Sequence, residues 1–191
     1  YNTKYIITPP AYTKIAFQGN SITYLQDAKS EAARYASRVG IAALNIIQGG
    51  GGDQIQDVYA RRFETGTINP EYVSLMIGGN DILFAGSLTT TAKNTYIALR
   101  NYYVSLGMKV IHLYPTPRSG NDLRPLVTFL DTCTDLKADI MVRGTWDNLL
   151  DAPYSLLTKY NSGDGTHPNE AGMSAAAAAI NDVLHYQNGS N

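Results

Sequence analysis

Cysteine is nearly missing from this 191-residue chain, with Cys133 the only one. That excludes an internal disulfide and a cysteine cluster for zinc, and leaves the thiol as a small hydrophobe. Charge is scarce as well. Charged residues are 16% of the sequence, only four of them are Glu, and the net charge is −1. With no basic excess to neutralise a phosphate backbone, nucleic acid is not an expected partner. No apolar run approaches the ~20 residues of a membrane span. Internal repeats and linkers are absent too, so a single domain over 1–191 is expected, with its core over about 12–187. Hydrophobic residues, at 44%, suffice for a core without staples. The polar surface must come from Asn, Thr, Ser, Gln and Tyr, which suits a neutral, hydroxyl-rich ligand such as a glycan. The start at Tyr1 rather than Met fits a chain whose leader was removed, or a domain of a longer extracellular or surface protein.

Strand and helix patterns alternate along the chain. Tyr12–Phe17 reads as a strand ending in a Gly-Asn-Ser turn. Asp27–Val39 has helical spacing and stops at Gly40. Ile41–Ile47 reads as a buried strand, followed by Gly49–Gly52 and a helix from Asp53, its expected cap, to about Phe63. Thr65–Pro70 reads as a loop, Tyr72–Ile77 as a strand, Gly78–Ser87 as a loop and Thr89–Leu106 as a helix. Met108–Tyr114 reads as a fourth strand, Asp122–Lys137 as mostly helical with Pro125 in its first turn, and Ala138–Val142 as a short fifth strand. Trp146–Asp164 looks irregular, and a last helix is expected from Pro168 to about Leu184. Such alternation predicts an α/β fold with an open, mostly parallel sheet and helices on both faces. Ligands of that architecture bind at the carboxyl ends of the strands. Ser21, Gly49–Gly52, Gly78–Asp81 and Thr116–Arg118 all follow predicted strands, and so fall on one rim.

Four segments on or near that rim carry possible chemistry. In Gly19-Asn20-Ser21-Ile22-Thr23 a serine follows a strand, where its hydroxyl can stand at the sheet edge; as an isolated serine it would pass for a helix cap. Thr23 stands where an α/β-hydrolase elbow needs its second glycine. Gln48-Gly49-Gly50-Gly51-Gly52-Asp53 fails the dinucleotide fingerprint, and it fails the phosphate-loop pattern because Asp53 and Gln54 follow the last glycine. An oxyanion-donating turn or a plain flexible loop remains. Gly78-Gly79-Asn80-Asp81 reads as a turn, or as an Asn amide offered to an oxyanion. In Asp164-Gly165-Thr166-His167-Pro168 the three-residue spacing lets a carboxylate meet an imidazole N–H, leaving the other nitrogen as a base. His112 sits mid-strand and is expected to be packed, and His185 lies near the end of the chain and is expected to be solvated.

Taken together the four segments resemble the SGNH hydrolases, the GDSL esterase/lipase family, in both order and spacing. The resemblance implies a three-layer α/β/α sandwich around a five-stranded, flavodoxin-like sheet. It implies Ser21 as nucleophile, His167 as base and Asp164 as its orienter. It implies an oxyanion hole from the N–H groups of Ser21 and Gly52 and the side-chain amide of Asn80, with Gly50 or Gly51 as fallbacks for Gly52. No metal or cofactor is implied. The family usually has Asp before the serine, where this chain has Asn20, a change expected to leave activity intact.

The expected function is hydrolysis of a small-molecule or glycan ester through an acyl-enzyme, with carbohydrate O-acetyl groups as the favoured substrate. Aromatics placed near the rim, Tyr24, Trp146, Tyr154 and Tyr160, suit sugar rings, though ordinary packing explains them equally well. A lipid esterase (a lysophospholipase) or a thioesterase is the alternative, with Ile82-Leu83-Phe84 available to line a groove. A non-catalytic glycan-binding or structural domain is the alternative of a different class.

Overall fold

The computed structural model describes residues 13–24 and 43–188. Five parallel strands form the central sheet: β1 (Thr13–Gly19), β2 (Ala43–Gly49), β3 (Tyr72–Met76), β4 (Lys109–Leu113) and β5 (Ile140–Val142). Their order is β2-β1-β3-β4-β5, every pair parallel. This is the flavodoxin-like order, whose connections diverge between β1 and β3 and open a crevice at their carboxyl ends.

Alternation along the strands divides the apolar side chains between two cores. Ile15, Phe17, Tyr72, Met76, Ile111 and Leu113 pack on one face with Met173, Ala177 and Ile180 of the last helix, α8 (Glu170–Asn188). Ala16, Val73, Leu75 and Val110 point to the other face. There they meet α2 (Ile55–Ala60), α5 (Thr90–Ser105) and α6 (Arg124–Thr132) through Ile55, Val58, Leu99, Tyr103 and Leu126. A parallel sheet covered on both faces explains why its strands read as apolar runs. Pro125 sits in the first turn of α6, as its fixed φ favours.

Several boundaries differ from those expected. The helix expected over 27–39 lies outside the described residues. The segment after the four glycines is two helices, α2 and then α3 (Arg62–Ile68), so helix replaces most of the expected loop at 65–70. Gln54, not Asp53, occupies the cap position, and its N–H donates to Asp57 Oδ2 at 2.8 Å. The expected loop after β3 holds a helix, α4 (Gly79–Ala85), begun at Gly78 with φ 108°. Beyond β5, the stretch expected to be irregular contains the end of a short helix α7 (Gly144–Asp147) and a two-stranded hairpin, β6 (Leu150–Asp151) with β7 (Ser155–Leu156). Trp146 is 3% exposed and belongs to the same apolar core as Leu126 and Leu136, so it is packed and not a surface for a sugar ring. No helix among the described residues is long and apolar enough to cross a membrane.

Candidate active site

Ser21 opens the short helix α1 (Ser21–Tyr24), directly beyond β1. Asn20 is 3% exposed, and its Oδ1 accepts the Ile22 N–H at 3.0 Å. That bond caps the first turn without engaging the Ser21 amide. Asn20 thus supplies the acceptor of this turn where the family usually has Asp.

His167 and Asp164 enter from the segment ahead of α8. Their loop is pinned by Asn161, whose Oδ1 accepts the N–H groups of Gly163 and Gly165, each at 2.9 Å. Ser162 N–H donates to the His167 carbonyl at 3.0 Å. Asp164 Oδ1 accepts the backbone N–H groups of Thr166 and His167, both at 2.8 Å, while Oδ2 meets His167 Nδ1 at 2.6 Å. His167 Nε2 then lies 2.9 Å from Ser21 Oγ. Burial alone would raise the Asp164 carboxyl. The hydrogen bonds from the His167 ring and from the His167 and Thr166 backbone outweigh it and hold the group well below the usual carboxylate range. An ionised Asp164 can only accept, so the ring donates from Nδ1–H and Nε2 is the acceptor facing the serine hydroxyl.

Gly50–Asp53 form a turn closed by Asp53 N–H to the Gly50 carbonyl at 3.2 Å, with Gly52 at φ 82°. A residue with positive φ in third place is what a type II turn demands. Asn80, in the first turn of α4, is 3% exposed. Its Nδ2 donates to the Asp53 carbonyl at 2.9 Å, and its Oδ1 accepts from Arg118 Nη1 at 3.0 Å. Asp81 is turned away: its Oδ2 accepts the Ile55 N–H at 3.0 Å, tying α4 to the start of α2. Burial raises the Asp81 carboxyl despite that bond.

The structure thus joins Ser21, His167 and Asp164 in one hydrogen-bonded row, and joins the turn after β2 to Asn80. Such a row can move a proton from a serine hydroxyl to an imidazole, and a side-chain amide can hold an oxyanion. His112 is packed as expected, fully buried between Tyr96 and Asp139. Two arginines that sequence reasoning gave no role touch these segments. Arg61 pairs with Asp53 at 2.6 Å and donates to the Gly19 carbonyl at 3.4 Å. Arg118 holds Asn80. The signal available for Arg118 was a cation placed just after Pro115 and Pro117 in a chain poor in charge. Among the described residues, no group of three or more His, Cys, Asp and Glu side chains could hold a metal ion.

Solved structures match across nearly the whole chain. A protein assigned to the lipolytic G-D-S-L family from Desulfitobacterium hafniense DCB-2 matches with TM-score 0.76 and 22% identity, over 90% of this chain and 99% of its own. A catalytic variant of an acetylxylan esterase from Geobacillus stearothermophilus matches with TM-score 0.72 and 20% identity, over 92% and 95%. TesA matches with TM-score 0.75 and 16% identity, over 90% and 98%. At these identities the likeness is one of fold. No curated protein matches. The model of the GDSL-like Lipase/Acylhydrolase family matches residues 17–175, and the chain belongs to that family.

Proposed function

We propose that the protein is a serine esterase that works through an acyl-enzyme on Ser21. One observation carries the reading: Ser21 Oγ stands 2.9 Å from His167 Nε2, while Asp164 grips the other ring nitrogen at 2.6 Å. Ser21 Oγ attacks the ester carbonyl as its proton passes to Nε2. Asp164 stabilises the imidazolium that results. The tetrahedral oxyanion is received by the N–H groups of Ser21 and Gly52 and by the second N–H of Asn80 Nδ2. One such donor is worth ~3–4 kcal/mol to the transition state. His167 returns its proton to the leaving alcohol, then draws one from water, and the acyl-enzyme is hydrolysed.

For the substrate we favour O-acetyl groups on a carbohydrate. Small and polar residues dominate the flanking segments, Gly49–Gly51 at the end of β2 and just beyond it, and Ser162, Gly163 and Thr166 in the histidine loop. Each buried CH₂ is worth about 0.8 kcal/mol to a long acyl chain, and a lining of this kind offers little of it. An acetylxylan esterase shares the fold. One observation favours the alternative of a lipid esterase: Leu83 and Phe84 on α4 are 43% and 62% exposed, while Ile82 anchors that helix to the core. Asn20, the departure from the family's pattern that would favour a non-catalytic glycan-binding module, keeps the acceptor its turn needs.

The deciding experiment compares specificity constants for acetyl, butyryl and octanoyl esters of one alcohol, and for acetylated sugars, with Ser21→Ala as control. Acetyl esters are expected to be cleaved fastest. Rates climbing steadily to octanoyl would overturn the carbohydrate reading and install the lipid one.

A further inference from the structure

We propose that Arg118 is the positioning residue that fixes which way the Asn80 amide faces, and thereby keeps its N–H donor turned to the oxyanion. The inference rests on the esterase reading above, which gives Asn80 that role. A primary amide is nearly symmetric in shape, so rotation by half a turn exchanges its oxygen and nitrogen at little steric cost. An oxyanion hole built on such a group needs something that tells its two ends apart. A guanidinium does so, because it has donors and no acceptor. Arg118 Nη1 lies 3.0 Å from Asn80 Oδ1. A flipped amide would set donor against donor between side chains that are 2% and 3% exposed, where bulk water cannot relieve the clash.

The other end of the amide agrees. Nδ2 donates one hydrogen to the Asp53 carbonyl at 2.9 Å and keeps its second for a ligand. The guanidinium also polarises the amide it binds, which strengthens the N–H as a donor. Arg118 is itself held from the catalytic side: its neighbour Ser119 donates its N–H to the Gly165 carbonyl at 2.7 Å, inside the loop that carries Asp164 and His167. Stability alone accounts poorly for this side chain. Its Nε is buried with no hydrogen-bond partner among the described residues, and a buried guanidinium so placed is easily outdone by an apolar side chain.

The test is a double-mutant cycle on an aryl acetate with Arg118→Met, Asn80→Ala and both together, reading kcat and KM separately. Arg118→Met is expected to lower kcat with KM little changed, by up to the ~10²–10³ typical of one lost oxyanion donor. In the Asn80→Ala background the same change should do almost nothing, since the amide it orients is gone. Arg118→Lys, still a pure donor, should recover part of the rate. Arg118→Gln, able to donate or accept, should not, and this pair decides the matter if Arg118→Met fails to fold. Wild-type turnover in Arg118→Met, equal rates for Lys and Gln, or the same loss in both backgrounds overturns the inference and leaves the esterase reading standing. Wild-type turnover in Asn80→Ala removes the oxyanion role, and the inference goes with it.

Discussion

His167 Nε2 approaches Ser21 Oγ to 2.9 Å although 146 residues of sequence separate them. The contact joins the end of the first strand to the loop ahead of helix α8, so it is made by the tertiary fold and not by neighbours in sequence. Ser21→Ala is expected to abolish ester hydrolysis while changing stability by no more than about 0.5 kcal/mol, as for a rim residue outside the core. Steady-state rates beside a urea unfolding curve check both halves. A folded variant with wild-type turnover would remove Ser21 from the mechanism.

Asp164→Asn should lower kcat far more than it changes KM. The Asn oxygen can keep accepting the Thr166 and His167 N–H groups, so the loop survives. Its amide would face Nδ1 and favour the wrong tautomer, a change that costs ~10⁴ in turnover in a serine protease. A loss expressed wholly in KM would refute the assignment.

Neighbouring glycines at the start of α4 should respond in opposite ways. Gly78 has φ 108°, and a Cβ there would sit 3.0 Å from a Leu126 methyl. Gly78→Ala is expected to cost about 1–3 kcal/mol through backbone strain. A Cβ on Gly79 would meet the Arg118 guanidinium at an ordinary 3.6 Å. Gly79→Ala should therefore be neutral or gain up to about 1 kcal/mol. Thermal denaturation of the two variants settles the contrast, and similar shifts in both would contradict it.

Acid sensitivity should trace to His112. Tyr96 O–H lies 2.8 Å from its Nδ1, and its Nε2 lies 2.9 Å from Asp139 Oδ2. Burial lowers its pKa, and it outweighs the opposing hydrogen bond and charge of Asp139; Arg100 adds to the lowering. The ring is therefore neutral, donating to Asp139 rather than forming an ion pair with it. In the unfolded chain this histidine takes a proton near pH ~6.5, whereas in the folded protein it resists until lower pH. Stability from this group is thus complete above pH ~6.5 and is lost as pH falls towards the lowered value. Urea midpoints should drop between pH 7 and pH 5 in the wild type and drop less in His112→Asn. An equal drop in both would exclude His112 as the source.

The sequence revealed the strands and the four chemical segments because both depend on residue type at fixed spacing. Val73, Leu75, Val110 and Ile111 declare a strand wherever they lie. Helix α4 was illegible because Gly79, Asn80 and Asp81 all disfavour helix locally; Asp81 earns its place only by holding the Ile55 N–H across the fold. The continuation of α3 through Gly66 was hidden for a related reason. A side chain at Gly66 would collide with the Tyr102 hydroxyl, so the glycine marks close packing of two helices and not a break. For Arg118 the sequence shows a cation after Pro115 and Pro117 at a strand end, but not its partner Asn80, which lies 38 residues earlier.

The 146-residue interval between Ser21 and His167 also bears on how the chain is made. Synthesis delivers Ser21 long before His167, which follows all five strands of the sheet. Until His167 has been made, Ser21 lacks the base that the proposed mechanism assigns to it. On the proposed reading, a growing or prematurely terminated chain cannot acylate itself on passing metabolites. On that reading the row is complete only once the loop carrying Asp164 and His167 has reached the end of the first strand.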